Sequence, residues 1–285
     1  MQITESISTT RAVVRAVREQ GKRIGFVPTM GALHVGHMSL VEAAKAACDF
    51  VVVSIFVNPT QFGPAEDLAN YPRPFEHDCA LCKEQGADLI FTPTPERMYG
   101  DKEPVTWVTV DQLTDYLCGA SRPGHFRGVT TICTKLFNIV QPDIAFFGQK
   151  DAQQVLVIQR MVTDLNMPLT IQICPTVRES DGLAVSSRNK YLDSVQREQA
   201  TCLYRALQSC QTLIKQGSCE AQTLVAAMKN VLNEAQHDGV DYVSISDVQT
   251  LEPLVRIQGK ALVALAVCFG SARLIDNILI DVDES

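Results

Sequence analysis

The stretch PTMGALHVGH (residues 28–37) ends one apolar run, RIGFVPT (23–29), and opens an amphipathic one, HMSLVEAAKAAC (37–48). The run after it, FVVVSIFVN (50–58), is so continuously apolar that a strand built from it is buried on both faces. Strand, helix and strand in that order make a βαβ unit. The alternation continues through helix FEHDCALCKEQGA (75–87), strand DLIFTPT (88–94), helix VTTICTKLFNIV (129–140) and strand DIAFFG (143–148). Helix DAQQVLVIQRMVTDL (151–165) and strand LTIQICPTV (169–177) close the series. Such a pattern predicts an α/β fold with an open parallel sheet and right-handed crossovers. After about residue 176 the texture changes. A polar stretch, RESDGLAVSSRNKYL (178–192), leads to two long helical patterns from Ser194 to Gln236 and a strand-rich tail containing VDYVSI and ALVALAVCF. We therefore expect two domains, 1–176 and 177–285.

In open α/β sheets ligands bind beyond the carboxyl ends of the strands, and residues 28–37 lie beyond the first one. With a helix starting near Leu33, His34 and His37 share a face of its first turn, where free N–H groups and the helix dipole favour an anion. Gly31 and Gly36 permit close backbone approach. A phosphate chain suits the site. A His pair at this spacing also serves in metal sites, but no Cys or carboxylate lies at useful spacing nearby, and no protein-built metal site is expected. Backbone carbonyls satisfying both imidazoles is the remaining alternative. Neither G-x-x-x-x-G-K-[ST] nor G-x-G-x-x-G occurs.

Two further clusters carry chemistry. FGQKDAQQ (147–154) is a second strand-to-helix corner: Lys150 offsets phosphate charge, Asp151 caps the helix or helps hold a metal or ribose, and Gln153 and Gln154 supply neutral hydrogen-bonding groups. Simple capping with solvated amides accounts for the same residues. VSSRN (185–189) offers two hydroxyls and a guanidinium on a mobile loop, as a phosphate clamp or only as a Ser-rich linker.

Composition narrows the class. The 285 residues carry a formal net charge of −7, which argues against nucleic acid as the main partner. No run approaches a membrane span, and the chain is expected to be neither exported nor embedded. Ten cysteines lie scattered in apolar segments (Cys48, Cys133, Cys174, Cys268), as buried thiols do in a reducing compartment. Cys79 and Cys82 read as ordinary helix positions.

Taken in order, PTMGALHVGH, SIFVNPTQF (54–62), SRPGHFRGV (121–129), FGQKDAQQ and GLAVSSRN (182–189) resemble the motifs of the pantothenate synthetase (pantoate–β-alanine ligase) family. The similarity runs on to ARLIDN (272–277). Departures are mild: Thr60 and Val185 stand where many members have Met, and Gln149 where Glu is common. The resemblance implies a Rossmann-like sheet of the nucleotidyltransferase superfamily, a smaller α+β C-terminal domain acting as a lid, and a cytoplasmic homodimer. It implies condensation of (R)-pantoate with β-alanine to pantothenate, with ATP as co-substrate and Mg²⁺, through a pantoyl adenylate, releasing AMP and diphosphate.

Carried over by motif, Met30, Gly31, Ala32, Leu33, His34, Val35, Gly36 and His37 line the ATP site, with both histidines on the phosphates and His37 the candidate proton donor. Gly148, Gln149, Lys150 and Asp151 contact ATP, as do Val177, Val185, Ser186, Ser187 and Arg188. His34, His37, Lys150 and Arg188 form the catalytic set. Gln61 and Gln154 hold pantoate, Gln61 also lies near the β-alanine site, and Asn58 and Arg127 are further pocket candidates. Two other readings remain: an adenylyltransferase acting on a phosphate ester, which calls for more cations than the glutamines of NPTQF and DAQQ provide, and a non-catalytic nucleotide sensor or RNA-binding relative, which neither the acidic charge nor the retained His34, His37 and Lys150 favour.

Overall fold

The computed structural model describes residues 1–64, 66–101 and 104–282. Strands β1 (Gln2–Thr4), β2 (Ile24–Thr29), β3 (Phe50–Ile55), β4 (Leu89–Phe91), β5 (Ile144–Gly148) and β6 (Thr170–Cys174) form one sheet in the order β1-β4-β3-β2-β5-β6. Every pairing in it is parallel. From β2 the chain first builds outward through β3 and β4, then crosses back to lay β5 on the other side of β2. The order reverses between β2 and β5, so the corners after these two strands flank the crevice where such sheets bind ligands.

The continuous apolar runs follow from burial on both faces. Phe26 of β2 packs into the core under the helices Ile7–Glu19, His125–Val140 and Ala152–Asp164, while Val27 packs into the opposite core with the helix Val35–Ala47. On edge strand β6, Thr170 to Ile173 alternate in exposure, with Ile171 and Ile173 against the core of Phe26, and Cys174 alone reaches the opposite core.

The expected elements of the first half are all present, with two differences. The N-terminal residues, where no strand is expected, begin with β1, an edge strand of three residues too short to leave a periodic signal. The helix expected near Leu33 starts at Val35, with His34 as its N-cap.

The second half forms an antiparallel sheet of β7 (Gly239–Asp247), β8 (Gly259–Phe269) and β9 (Ala272–Val282). The helices Cys202–Lys215 and Ala221–Asn233 cover one face. On β8, Val263, Leu265 and Val267 point into that core, while Leu262 and Ala264 join the core of the parallel half. At about 1.5–3 kcal/mol for each fully buried large aliphatic side chain, this two-sided burial makes β8 the seam between the halves. The ten cysteines form no disulfide. Burial pushes the Cys82 and Cys133 thiols up to about 12, so they act as inert apolar groups, whereas Cys268 is only half-buried.

Candidate active site

The corner after β2 is fixed by Thr29, which opens it, and by Asp78, a residue that no motif contains. Thr29 donates its hydroxyl to the Ser54 carbonyl at 2.7 Å and accepts the Gly31 N–H at 3.1 Å. The chain then passes through the left-handed region at Gly31 (φ 81°) and Ala32 (φ 50°). Ala32 has a Cβ, so this conformation is strained and needs support. The support is Asp78, 1% exposed, which accepts the Ala32 N–H at 2.9 Å and the Leu33 N–H at 2.8 Å. Those two amides are therefore not free for an anion, contrary to the expectation of an open helix N-terminus at Leu33. The glycines also serve differently than expected. A Cβ at Gly31 would lie 3.0 Å from Asp78 Oδ2, and one at Gly36 would lie 3.0 Å from His34 Cε1.

What this corner offers a ligand is its imidazoles. The His34 and His37 rings lie 4.0 Å apart at 36°, and both Nδ1 atoms are buried without a hydrogen-bond partner among the described residues. Burial lowers His34 to about 4, with Lys150 adding to the shift. Burial lowers His37 to about 3, with His34 and Lys150 adding to it. Both rings are neutral near pH 7, so each presents an N–H without bringing positive charge.

The corner after β5 supplies the charge. Gln149–Asp151 form a single 3-10 turn ahead of the helix Ala152–Asp164. Asp151 makes no side-chain cap there, so a capping role for it fails. Asn277 of β9 reaches across and donates to the Gln149 carbonyl at 3.0 Å and the Lys150 carbonyl at 2.9 Å. Among the described residues Lys150 has no ion-pair partner within 4.0 Å. Gln153 turns away into the core, bonded to Cys118 N–H and to the carbonyls of Leu113 and Tyr116. Gln154 faces the crevice.

The third cluster is structured, not a linker: Ser187–Tyr191 form a 3-10 helix, capped by Ser186 accepting the Arg188 N–H. Arg188 pairs with Asp67 at 3.1 Å. The preceding Arg178 is held by Asp276 through two bonds of 2.6 and 2.9 Å, and its guanidinium lies 4.1 Å over Tyr204. Opposite, Asn58 donates to Gln61 Oε1 at 3.0 Å and accepts from Tyr99 at 2.7 Å.

These clusters share one cavity of about 220 Å³. Met30, His34, Gly36 and His37 line it from the first corner; Gly148, Lys150, Asp151 and Gln154 from the second. Val177, Val185, Ser186, Ser187 and Arg188 face it from the third, and Asn58 and Gln61 complete the wall. Gly31, Ala32, Leu33, Val35 and Gln149 do not line it: Leu33 belongs to the core, Val35 is 59% exposed, and Gln149 contributes only a carbonyl to Asn277. Arg127 is also outside, its guanidinium 4.3 Å over the Trp107 ring. Asp78 and Asn277 carry no site signal in the sequence, since an acid in the first turn of a helix and a polar residue in a strand look ordinary there.

Over residues 2–279 the chain matches the family model described as Pantoate-beta-alanine ligase. The chain belongs to that family. It is 54% identical to a pantothenate synthetase of Moorella thermoacetica over 284 residues, 100% of both chains. Its fold is similar to the crystal structure of pantothenate synthetase from Thermus thermophilus, with TM-score 0.93 and 45% identity over 98% of this chain and 99% of that one. It is also similar to a pantoate-beta-alanine ligase from Francisella tularensis, solved in complex with beta-gamma ATP and beta-alanine, with TM-score 0.81 and 33% identity over 98% and 97% of the two chains. The motifs through which the sequence resembles the pantoate–β-alanine ligase family supply most of the lining of the cavity.

Proposed function

We propose that this chain condenses (R)-pantoate with β-alanine to pantothenate, using ATP and passing through a pantoyl adenylate, with release of AMP and diphosphate. The observation that carries this reading is the meeting in one cavity of two imidazoles whose Nδ1 atoms have no partner among the described residues, an ammonium with no ion-pair partner among them, and the glutamine amides of Gln61 and Gln154. The triphosphate lies along His34, His37 and Lys150, and pantoate hydroxyls bond the glutamines, a site that rejects analogues lacking them.

The pantoate carboxylate attacks the α-phosphorus in line, and negative charge grows on the leaving diphosphate. Lys150 and Arg188 balance that charge, while the neutral imidazoles donate N–H bonds to phosphate oxygens. His37, lowered to about 3 in the free protein, becomes a proton donor only as phosphate charge raises its affinity for a proton. Arg188 must exchange Asp67 for phosphate oxygens in the process. The adenylate is a mixed anhydride, so water is excluded until the neutral amine of β-alanine attacks its carbonyl, loses a proton and displaces AMP.

Mg²⁺ belongs to this reading. Among the described residues no group of three or more His, Cys, Asp or Glu side chains forms a metal cage. Asp151 is the one carboxylate among the cavity-lining residues, which fits an ion held chiefly by substrate phosphates, one carboxylate and water. Bound there, Mg²⁺ would neutralise diphosphate charge. Residues 177–285 act as the lid over 1–176, and the protein works as a cytoplasmic homodimer. Among the described residues no helix is long and apolar enough to cross a membrane. Incubation with ATP, Mg²⁺, pantoate and β-alanine tests the proposal: AMP and an amide form in equal amounts. ATP consumption independent of pantoate, or an adenylylated product without an amide, would contradict it.

A further inference from the structure

The mechanism leaves one motif unused. SRPGHFRGV contributes Arg127 to a stack on Trp107, yet its other members converge on the turn that carries Gln61. His125 Nδ1 lies 2.8 Å from the Gln61 carbonyl, and Arg122 Nη1 lies 3.0 Å from His125 Nε2. Arg122 is itself held by Glu66 through two bonds of 2.8 and 2.6 Å.

A guanidinium has only donors, so Nε2 must accept, and the ring proton must sit on Nδ1, where it donates to Gln61. We infer that His125 is a positioning residue for Gln61, and that Arg122, aimed by Glu66, fixes the tautomer that allows it. This rests on the proposed role of Gln61 in holding pantoate.

The surrounding packing leaves the turn few other positions. The first turn of the helix His125–Val140 presses on Pro59–Gln61 so closely that a Cβ at Gly128 would lie 2.3 Å from the Thr60 carbonyl oxygen and 2.7 Å from Gln61 Cα. Asn58 bonds the Gly128 carbonyl at 3.2 Å and Gln61 Oε1 at 3.0 Å, so it ties the Gln61 side chain to the same helix turn. Among the described residues Gln61 Nε2 meets only the Met30 sulfur, at 3.0 Å, a weak acceptor that a substrate hydroxyl readily outcompetes. Its backbone carbonyl is therefore the anchor from which the side chain is aimed. Burial and the neighbouring Arg122 lower His125 to about 4, which keeps the ring in the neutral form that the two bonds require.

Two variants divide the two bonds. His125→Asn places an amide nitrogen near the Nδ1 position and keeps the bond to Gln61; His125→Gln places its carbonyl near Nε2 and keeps only the bond to Arg122. In pantoate-dependent ATP–diphosphate exchange, H125Q is expected to raise the KM for pantoate by about tenfold, as expected for an orphaned buried carbonyl, with the KM for ATP within about twofold. H125N restores most of the pantoate affinity. Equal pantoate KM values for H125N and H125Q, or equal changes for both ligands in H125Q, overturn the inference. Gln61→Ala is the control for the underlying reading: an unchanged pantoate KM there refutes the role of Gln61, whereas a raised one with identical His125 variants refutes only the positioning role. Ring chemical shifts of His125 in the unmodified protein give a test that needs no variant to fold. The Nδ1–H tautomer is expected, and the Nε2–H tautomer would overturn the assignment.

Discussion

The corners after β2 and β5 stand side by side at the point where the strand order reverses, and both feed the same cavity, yet they are held in opposite ways. The first is secured from within the parallel half: Asp78 on the helix Phe75–Glu84 grips the Ala32 and Leu33 amides, and Gly36 leaves room for the His34 ring. The second is secured from the far end of the chain, where Asn277 of β9 holds the Gln149 and Lys150 carbonyls. One corner is thus held by a residue of the parallel half itself, and the other by a residue of the antiparallel half. The neutral donors are built in permanently. The turn that carries the Lys150 ammonium is held by a contact from the antiparallel half.

The largest effect is expected at the charge itself. Lys150→Ala should slow adenylate formation by about 10²–10³-fold, the scale of losing one preorganised electrostatic contact. Its unfolding midpoint should barely move, because the ammonium has no ion-pair partner among the described residues. Rapid-quench measurement checks it, and a near-normal rate removes Lys150 from the site.

Asp78→Ala should cost about 2–3 kcal/mol of stability by orphaning two buried amides, visible in denaturant titration, with activity falling as the Gly31–Ala32 turn relaxes. Asn277→Ala should cost only about 1 kcal/mol, yet raise the KM for ATP severalfold through the loosened Lys150 turn. If Asn277→Ala left the KM for ATP unchanged, the contrast between the corners would lose its functional meaning.

Acid stability sharpens the same contrast. His34 and His37 are lowered from 6.5 to about 4 and 3, so on acidification the unfolded chain binds protons first. Stability is complete above about pH 6.5 and is lost as pH falls through the window down to those values. His37→Gln should flatten this acid limb, while Lys150→Ala should leave most of it in place, because burial is the first cause of both shifts. The smallest effect is expected from Arg127→Ala. With its guanidinium on Trp107, the pantoate KM should stay within about twofold of the unmodified value.

What the sequence made legible follows the range of the interactions. The parallel half could be read because each strand and helix of PTMGALHVGH, FVVVSIFVN and DIAFFG carries its own periodicity. The candidate side chains His34, His37, Lys150 and Gln154 stand out because polar and titratable groups gathered at strand-end corners seldom serve packing, whereas Gln61 is marked only by the resemblance to the family motifs. The supports could not. Asp78 lies 45 and 46 residues from the amides it holds, and Asn277 lies 127 and 128 from its carbonyls, separations at which no local pattern exists. The helix start slipped from Leu33 to Val35 for the same reason, since Asp78 fixes a left-handed turn where helical periodicity alone would continue. Within SRPGHFRGV the cation looked like the working residue, but packing against Trp107 turned Arg127 away and left His125 and Gly128 facing Gln61.

Exchange of labelled diphosphate into ATP in the absence of β-alanine tests the central claim most directly. A cavity that activates pantoate as an adenylate should support exchange that needs pantoate and Mg²⁺, needs no amine, and disappears in Lys150→Ala. Exchange without pantoate, or none until β-alanine is added, would contradict it.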